Sequence, residues 1–278
     1  MNLGFVFTNY NNSNHTQAVI QSIEEVLTNK CNYIIIIVDN NSNQIEVANL
    51  NTFNNVFKNV VILFENNNTG YFNGLNIGLK YLNNFYPDFK HVVIGNNDIK
   101  LNPLFYKQFE DSIYLFDKYP VISPNIITPD GKHQNPHVIK NISKFREYIY
   151  YLFYSNYYIS KIILLISNFS KKLSDRKDEL SFDKEGEIYQ GHGSCYILGP
   201  LFFQNFDKLF SPSFLMFEEF FLTYQLHTKS YKVFYTPNIL IYHYGHSTIQ
   251  HIPSKFIWDI SRQSYKTYRQ YLKLYNNS

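Results

Sequence analysis

The segment Tyr33-Ile34-Ile35-Ile36-Ile37-Val38-Asp39-Asn40-Asn41-Ser42 decides the fold class. Four isoleucines and a valine in succession are β-branched, and a run without polar alternation fits a strand covered on both faces. It stops at Asp39, where carboxylate and amide acceptors crowd a short turn. Asp-Asn-Asn-Ser is also an ordinary turn and helix-start sequence, so taken alone it does not define a site.

The neighbouring segments repeat the arrangement. Gly4–Thr8 precedes the polar turn Asn9–Asn14 and a helix near Gln17–Leu27. Val60–Phe64 leads into an Asn/Gly segment and a helix over roughly Gly74–Leu82, and Val92–Gly95 ends at Asn96-Asn97-Asp98. Short β-rich runs alternating with helical periods predict an α/β fold with a mostly parallel central sheet and helices on both faces. In such sheets ligands gather beyond the carboxyl ends of the strands, which is where all four polar turns fall.

Composition narrows the function. The 278 residues are 45% hydrophobic, enough for one large domain with a sizeable core. The 25 basic and 22 acidic side chains leave a charge of only +3, too little for the positive field that a nucleic-acid binder requires. Lys171, Lys172, Arg176 and Lys177 form a basic cluster, read either as a solvated face or as a contact for a ligand or anionic lipid. Cys31 and Cys195 match no metal-ligand spacing and sit in apolar surroundings, as buried free thiols in a reducing compartment would. The amino terminus has no signal-peptide pattern and no stretch is apolar for long enough to span a bilayer, so a cytoplasmic protein is expected, at most held at the inner face of the membrane.

The later chain reads differently. Residues 145–169 are aromatic and aliphatic, which predicts a helical insertion packed on the main domain, with membrane-surface contact or acceptor binding as alternatives. Residues 174–187 read as a charged loop, and Tyr189–Leu198 and Val233–Ile241 as strands. From Pro253 to Tyr275 an amphipathic helix is expected, with Tyr265, Tyr268, Leu272 and Tyr275 on its packed face.

Several residues carry chemistry. Asn96 and Asp98, two apart at a strand end, could reach a hard divalent ion shared with a diphosphate, directly or through water, and an ordinary turn is the equal alternative. The segment Asn66–Gly78 places Gly70, Gly74 and Gly78 around a helix start whose amides suit a diphosphate or sugar hydroxyl, yet it is neither a dinucleotide fingerprint nor a P-loop. Glu218 and Glu219 lie in the apolar stretch Phe214–Leu222, and burying an unpaired carboxylate is costly. A site-facing carboxylate there could serve as general base; an exposed helix start is the competing account. His243 follows Ile239–Tyr242 at another strand end, as a metal ligand, a phosphate contact or a surface histidine. His137, His192, His246 and His251 are weaker candidates.

Taken in order, these segments resemble the family 2 glycosyltransferases of GT-A fold, most nearly the bacterial rhamnosyltransferase-like, cell-surface polysaccharide group. Thr8-Asn9-Tyr10-Asn11-Asn12 resembles the first nucleotide-binding turn of that family, and Asp39-Asn40-Asn41-Ser42 the turn whose Asp reads base or ribose. Asn68–Gly78 is similar to its glycine and asparagine segment, and Asn96-Asn97-Asp98 falls where the family has its DxD-like motif. Gly193–Leu198 resembles the acceptor-side strand, Asn205-Phe206-Asp207 the "GFD" turn, Phe217-Glu218-Glu219 the "ED" element, Ile241-Tyr242-His243 the late histidine segment and Arg262-Gln263 the closing Arg-Asn helix. The order and separation match over about residues 3–250. Three departures stand out. Glu219 replaces the commoner Asp, Asn96 replaces the first acid of DxD, and Phe220, Phe221 and Leu222 stand where a further Asp is usual.

The resemblance implies an inverting, metal-dependent transfer of sugar from a UDP- or dTDP-sugar to a hydroxyl of a saccharide or lipid-linked saccharide acceptor, in capsule or lipopolysaccharide synthesis. Glu219, with Glu218 beside it, would be the base. Asp98 and His243 would hold Mg²⁺ or Mn²⁺. The donor would contact Thr8, Asn9, Tyr10, Asp39, Asn41, Asn68, Gly70, Asn76, Asn96, Asn97 and Asp98. A single GT-A domain follows: a nucleotide-sugar half over residues 1–100, an acceptor half over 101–250 with its helical insertion at about 140–187, and a C-terminal helix over 251–278. A homodimer and a peripheral membrane contact stay open. The rival readings are a non-catalytic nucleotide- or saccharide-binding relative and a sugar nucleotidyltransferase.

Overall fold

Along the first strands the side chains alternate between two cores. Leu3, Phe5, Phe7, Ile35, Ile37 and Val93 face one cluster, while Val6, Ile34, Ile36, Val38, Val92 and Ile94 face the other. With a period of two and both faces covered, every position of the isoleucine run is buried. The structure is a computed structural model, and it describes residues 1–169, 178–245 and 254–277.

Four strands, β1 (Asn2–Asn9), β2 (Asn32–Asp39), β3 (Val60–Phe64) and β4 (His91–Asn96), pair in the order β3-β2-β1-β4, all parallel. Helix α1 (Ser13–Leu27) and α2 (Gln44–Val56) cover one face, and α3 (Tyr71–Phe85) covers the other. α1 and α3 begin earlier than the periodicity indicates because their first turns are polar or aromatic and carry little apolar rhythm. The rest of the sheet comprises β5 (Ile99–Leu101), β6 (Val121–Ile127), β7 (Gly186–Ile188), β8 (Cys195–Leu198) and β9 (Val233–His243).

The expectation of a mostly parallel sheet is corrected beyond β4. β8 runs antiparallel to both β4 and β6, and β5 and β7 run antiparallel to β9; only β6 and β9 pair in parallel. A buried apolar run looks the same in either direction, so pairing sense was not encoded in the pattern. The strand read over Tyr189–Leu198 is shorter, since only Cys195–Leu198 joins the sheet and residues 189–194 bend away from it. At the end of the expected 174–187 loop and just past it, Gly186–Ile188 forms the β7 edge strand.

α4 (Phe105–Asp111) precedes β6, and the insertion is a helical hairpin, α5 (Lys144–Ser155) and α6 (Tyr157–Phe169). After β8 come α7 (Pro200–Asn205), α8 (Glu218–His227) and, following β9, the long α9 (Lys255–Asn277). The α9 face read from sequence is packed: Tyr265, Tyr268 and Leu272 join Phe220 and Phe221 of α8 in a third cluster, against which Tyr150, Tyr154 and Tyr275 also rest. Cys195 is buried and Cys31 half-buried, both free. The basic cluster from Lys171 to Lys177, and His246 and His251, lie outside the described residues.

The α3 contact with the sheet is close. A Cβ at Gly78 would stand 2.4 Å from Val6 Cγ1 and 3.1 Å from Val38 Cγ2, both on inflexible β-branched side chains. Gly78→Val is therefore expected to destabilise the fold by about 1–3 kcal/mol through overpacking. In a urea titration this appears as a lower midpoint with unchanged slope; an unchanged midpoint would show that α3 has room to move.

Candidate active site

Strand register brings the polar turns together. Asn9 pairs with Asp39 across β1 and β2, and Thr8 pairs with Asn96 across β1 and β4. All three strands thus end at one edge. Asp39 is 1% exposed, and its carboxylate is fully engaged by the protein. It accepts from Asn9 Nδ2 (2.7 Å), Ser42 Oγ (2.5 Å) and the Ser42 amide (3.0 Å). Asn97 extends this network, donating to Thr16 Oγ1 (2.8 Å) and Asn9 Oδ1 (3.1 Å). Asp39, Asn9 and Asn97, expected to touch the donor, hold one turn to the next. Burial with every acceptor paired avoids the cost of an isolated charge.

The other expected donor contacts divide. Thr8 and Asn96 are half-buried at the edge, while Tyr10 and Asn41 are exposed on the turns. Asn68 caps Gly70 N–H (3.0 Å), and Gly70, at φ +88°, opens α3. The first amide of α3, Tyr71 N–H, donates to Phe214 O (3.2 Å), so it is not free for a diphosphate. Asn40 was not singled out, yet it is buried and ties β2 to α3, donating to Gly70 O (3.1 Å) and accepting from Thr69 Oγ1 (3.0 Å). Asn76 does not join the edge: both ends of its amide are taken by the Leu209 backbone at 2.8 Å.

Asp98 and His243 meet because β5 and β9 pair with Ile99 opposite His243, and Tyr244 N–H donates to Asp98 O (2.8 Å). His243 Nε2 stands 3.2 Å from Asp98 Oδ1, outside hydrogen-bonding geometry, and neither buried atom has a hydrogen bond. The other ring nitrogen, Nδ1, lies 2.7 Å from Gln134 Oε1. That acceptor places the proton of the neutral ring on Nδ1 and leaves the Nε2 lone pair facing the carboxylate. Two facing acceptors need a positive charge between or beside them. Burial pushes the Asp98 carboxyl up, but the contact and charge of His243 in its protonated form, with a further charge contribution from His15, outweigh this and hold it below the ordinary carboxylate value. With the ring neutral, a bound cation would take that place.

These residues fit a divalent cation. A separation of 3.2 Å is close to that of two adjacent ligands on one ion, each about 2.1 Å away. There is also room: a Cβ at Gly245 would sit 2.7 Å from His243 Nε2 and 2.9 Å from Asp98 Oδ2, space that glycine leaves open. Among the described residues no group of three or more His, Cys, Asp or Glu side chains could hold a metal ion. A cation on this pair would complete its shell with oxygens from water and a bound phosphate.

Glu218 and Glu219 open α8. The chain reaches them through two consecutive left-handed residues, Met216 (φ +75°) and Phe217 (φ +69°), a conformation that costs on the order of 1–2 kcal/mol per non-glycine residue. Aromatic packing holds it: the Phe217 ring stacks on Tyr268 (4.7 Å) and contacts Tyr265 (6.0 Å) and Tyr154 (5.9 Å). Glu219, half-buried, accepts the Gly193 amide at Oε1 (3.2 Å). A Cβ on Gly193 would lie 2.6 Å from that oxygen, so only glycine allows the approach. Glu218, 7% exposed, accepts Met216 N–H (3.0 Å). Burial first, and the Glu219 charge second, push its carboxyl up to about 8.

The loop over residues 191–194 joins the two acid centres, a role that sequence reading missed. Tyr71 hydroxyl donates to Gly193 O (2.7 Å), Asn96 N–H donates to Ser194 O (3.0 Å), and the buried Asn135 accepts His192 N–H (2.7 Å). The His192 ring lies between those of His137 (5.5 Å) and His243 (5.7 Å). Gly-His-Gly-Ser directly before a strand was the available signal. A cavity of about 460 Å³ opens beside Asp98, lined by Asn14, His15, Ala18, Gln21, Lys100 and Tyr244 among others. It reaches Asn97 and Asp98 but not Glu219, so it marks the flank of the site rather than the space between the acids.

No family description matches the chain, and no curated protein matches it in sequence. Solved structures do match in fold. Staphylococcus aureus TarS aligns at TM-score 0.54 and 12% identity, over 88% of this chain and 37% of that one. TarS 1–349 in complex with UDP-GlcNAc aligns at 0.54 and 11%, over 89% and 59%. GalNAc-T7 with UDP, GalNAc and Mn²⁺ aligns at 0.61 and 11%, over 89% and 44%. The chain thus spans between about a third and three fifths of these neighbours, and shares with them a mixed α/β sheet flanked by helices.

Glu218 gives stability a pH dependence. The folded protein keeps a proton, with the carboxyl near 8, that the unfolded chain releases near 4.5. Stability is therefore expected to fall as pH rises through that window and to level off above it. Glu218→Gln should flatten this segment of the urea-midpoint profile and raise the midpoint above pH 8 relative to the parent. Equal slopes in both proteins would refute the assignment.

Proposed function

We propose that the protein transfers a sugar from a nucleotide-diphosphate donor to a hydroxyl of a saccharide acceptor, with inversion at the anomeric carbon. The observation that carries this reading is the arrangement of two acid centres about the 191–194 loop. The Asp98–His243 pair is suited to a cation and diphosphate, and the Glu218–Glu219 pair to a proton. A fold like those of TarS with UDP-GlcNAc and GalNAc-T7 with UDP, GalNAc and Mn²⁺ supports it and favours a UDP-sugar over a dTDP-sugar. Mn²⁺ or Mg²⁺, when bound, supplies charge neutralisation for the departing diphosphate.

The chain's own groups divide the remaining work. Asp98 and His243 Nε2 present a buried carboxylate and a lone pair toward the diphosphate side, with Gln134 fixing the ring. Glu219, oriented by the Gly193 amide, takes the proton of the acceptor hydroxyl as that oxygen bonds to the anomeric carbon and the bond to the diphosphate breaks. Burial and the Glu219 charge favour the neutral form of Glu218, which then adds no second charge beside the base. Phe217, wedged among α5 and α9 aromatics, fixes where α8 starts and so where Glu219 points. A lipid-linked acceptor in bacterial capsule or lipopolysaccharide synthesis, handled at the cytoplasmic side, follows from the sequence resemblance.

Titration calorimetry with UDP, dTDP and GDP, each with and without Mn²⁺, tests the donor half. One nucleotide should bind in a Mn²⁺-dependent way, and Asp98→Asn should weaken it at least about tenfold, or ~1.4 kcal/mol. Glu219→Gln should leave that binding intact and lower donor turnover by about 10²–10⁴-fold. Binding without turnover in the parent would favour a non-catalytic relative, and no nucleotide binding would sink the donor site altogether.

A further inference from the structure

The α5–α6 hairpin carries apolar surface and charge that the active site does not use. On α6, Tyr158, Ile159, Ile162, Leu165 and Ile166 are exposed, Ile162 to 56%. At 100° per residue these five fall within an arc of about 120°. Ser160 is fully buried on the opposite side. Lys161 sits at the border of the stripe, its ammonium 4.6 Å from the Tyr157 ring, and α6 has no acidic residue. On α5, Phe145, Tyr148 and Tyr151 are also exposed. Large aliphatic side chains left in water in this pattern mark an interaction surface.

Charge identifies the partner. Between Lys140 and Lys177 the sequence has eight basic side chains and two acidic ones, a net of +6 in a chain whose total is +3. The remainder of the protein is therefore net negative, and positive charge is concentrated in the segment of the sequence that holds α5 and α6. A second copy would bring the same basic segment against itself, because a two-fold contact pairs identical patches. An anionic bilayer satisfies both features at once: lipid phosphates meet the lysines, and the acyl boundary takes the isoleucines. At 13 residues, α6 is about 20 Å long, short of the roughly 30 Å of hydrocarbon. None of the described helices is long and apolar enough to cross a membrane.

We propose that the α5–α6 hairpin seats the protein on an anionic lipid surface, with α6 in the plane of the headgroups and Tyr158, Ile162, Leu165 and Ile166 turned into the acyl boundary. Attachment then does not depend on the transferase reading. It has a structural consequence near the site all the same, because Tyr154 of α5 touches Phe217 and Trp258 of α9 donates to Phe153 O (3.2 Å).

Flotation of the whole chain with phosphatidylcholine vesicles, with and without phosphatidylglycerol, tests this. The bound fraction is expected to be at least about tenfold larger on the anionic vesicles and to drop with added salt as screening shortens the electrostatic reach. Ile162→Asn combined with Ile166→Asn should lower binding by a similar factor. Both side chains are exposed, so circular dichroism melting should be unchanged. Equal flotation on neutral and anionic vesicles, or a double variant that floats like the parent, would overturn the proposal. So would sedimentation velocity showing a dimer that the double variant dissociates while flotation is absent.

Discussion

Asp39 is the constraint on which the carboxyl edge of the sheet depends. A carboxylate at 1% exposure persists only if its oxygens are paired, and here Asn9 and Ser42 supply the pairs. That requirement fixes the turn after β1 against the turn after β2. Through Asn9 and Thr16 it then fixes Asn97, the residue immediately before Asp98. The direction in which Asp98 leaves β4 is thus set by a network closed to solvent. One buried acid organises three turns so that another, one residue beyond the network, can stand partly open.

A second organisation comes from the opposite end of the chain. Phe217 occupies left-handed backbone that an aromatic residue disfavours, and it does so against rings from α5 and α9. Dispersion and burial among these rings offset the backbone cost. Thr223 strengthens the arrangement by donating to Tyr189 O, tying α8 to the segment that leads into the 191–194 loop. Glu219 and its Gly193 partner are therefore held from both sides, by α8 and by that loop.

Much of the fold was legible because it rests on local periodicity. The isoleucine run, the polar turns and the α9 stripe of Tyr265, Tyr268 and Leu272 each have one physically reasonable placement. The reversal at β8 was not legible, since direction is set by which edge remains open for pairing and not by side-chain rhythm. At the site, Asp98, His243 and Glu219 stood out because polar groups punctuated apolar runs. Gln134, Tyr71 and the 191–194 loop did not, because their roles arise from contacts across long separations; Tyr71 and Gly193 are 122 residues apart. Asn76 shows the converse case. Its place in an Asn/Gly segment resembled a ligand contact, but its amide pairs with the Leu209 backbone.

The packing of Phe217 against Tyr265 and Tyr268 also orders events in time. Synthesis proceeds from the amino terminus, so β1 to β4 and the Asp39 network can assemble while the rest is still being made. Two of the rings that restrain Phe217, Tyr265 and Tyr268, arrive near the end of the described chain. Until they emerge from the ribosome, the α8 start has only the α5 rings of Tyr150 and Tyr154 to hold it in its left-handed approach, and Glu219 is less firmly directed. The nascent protein would acquire the carboxyl edge of β1 to β4 first and the fixed orientation of Glu219 last.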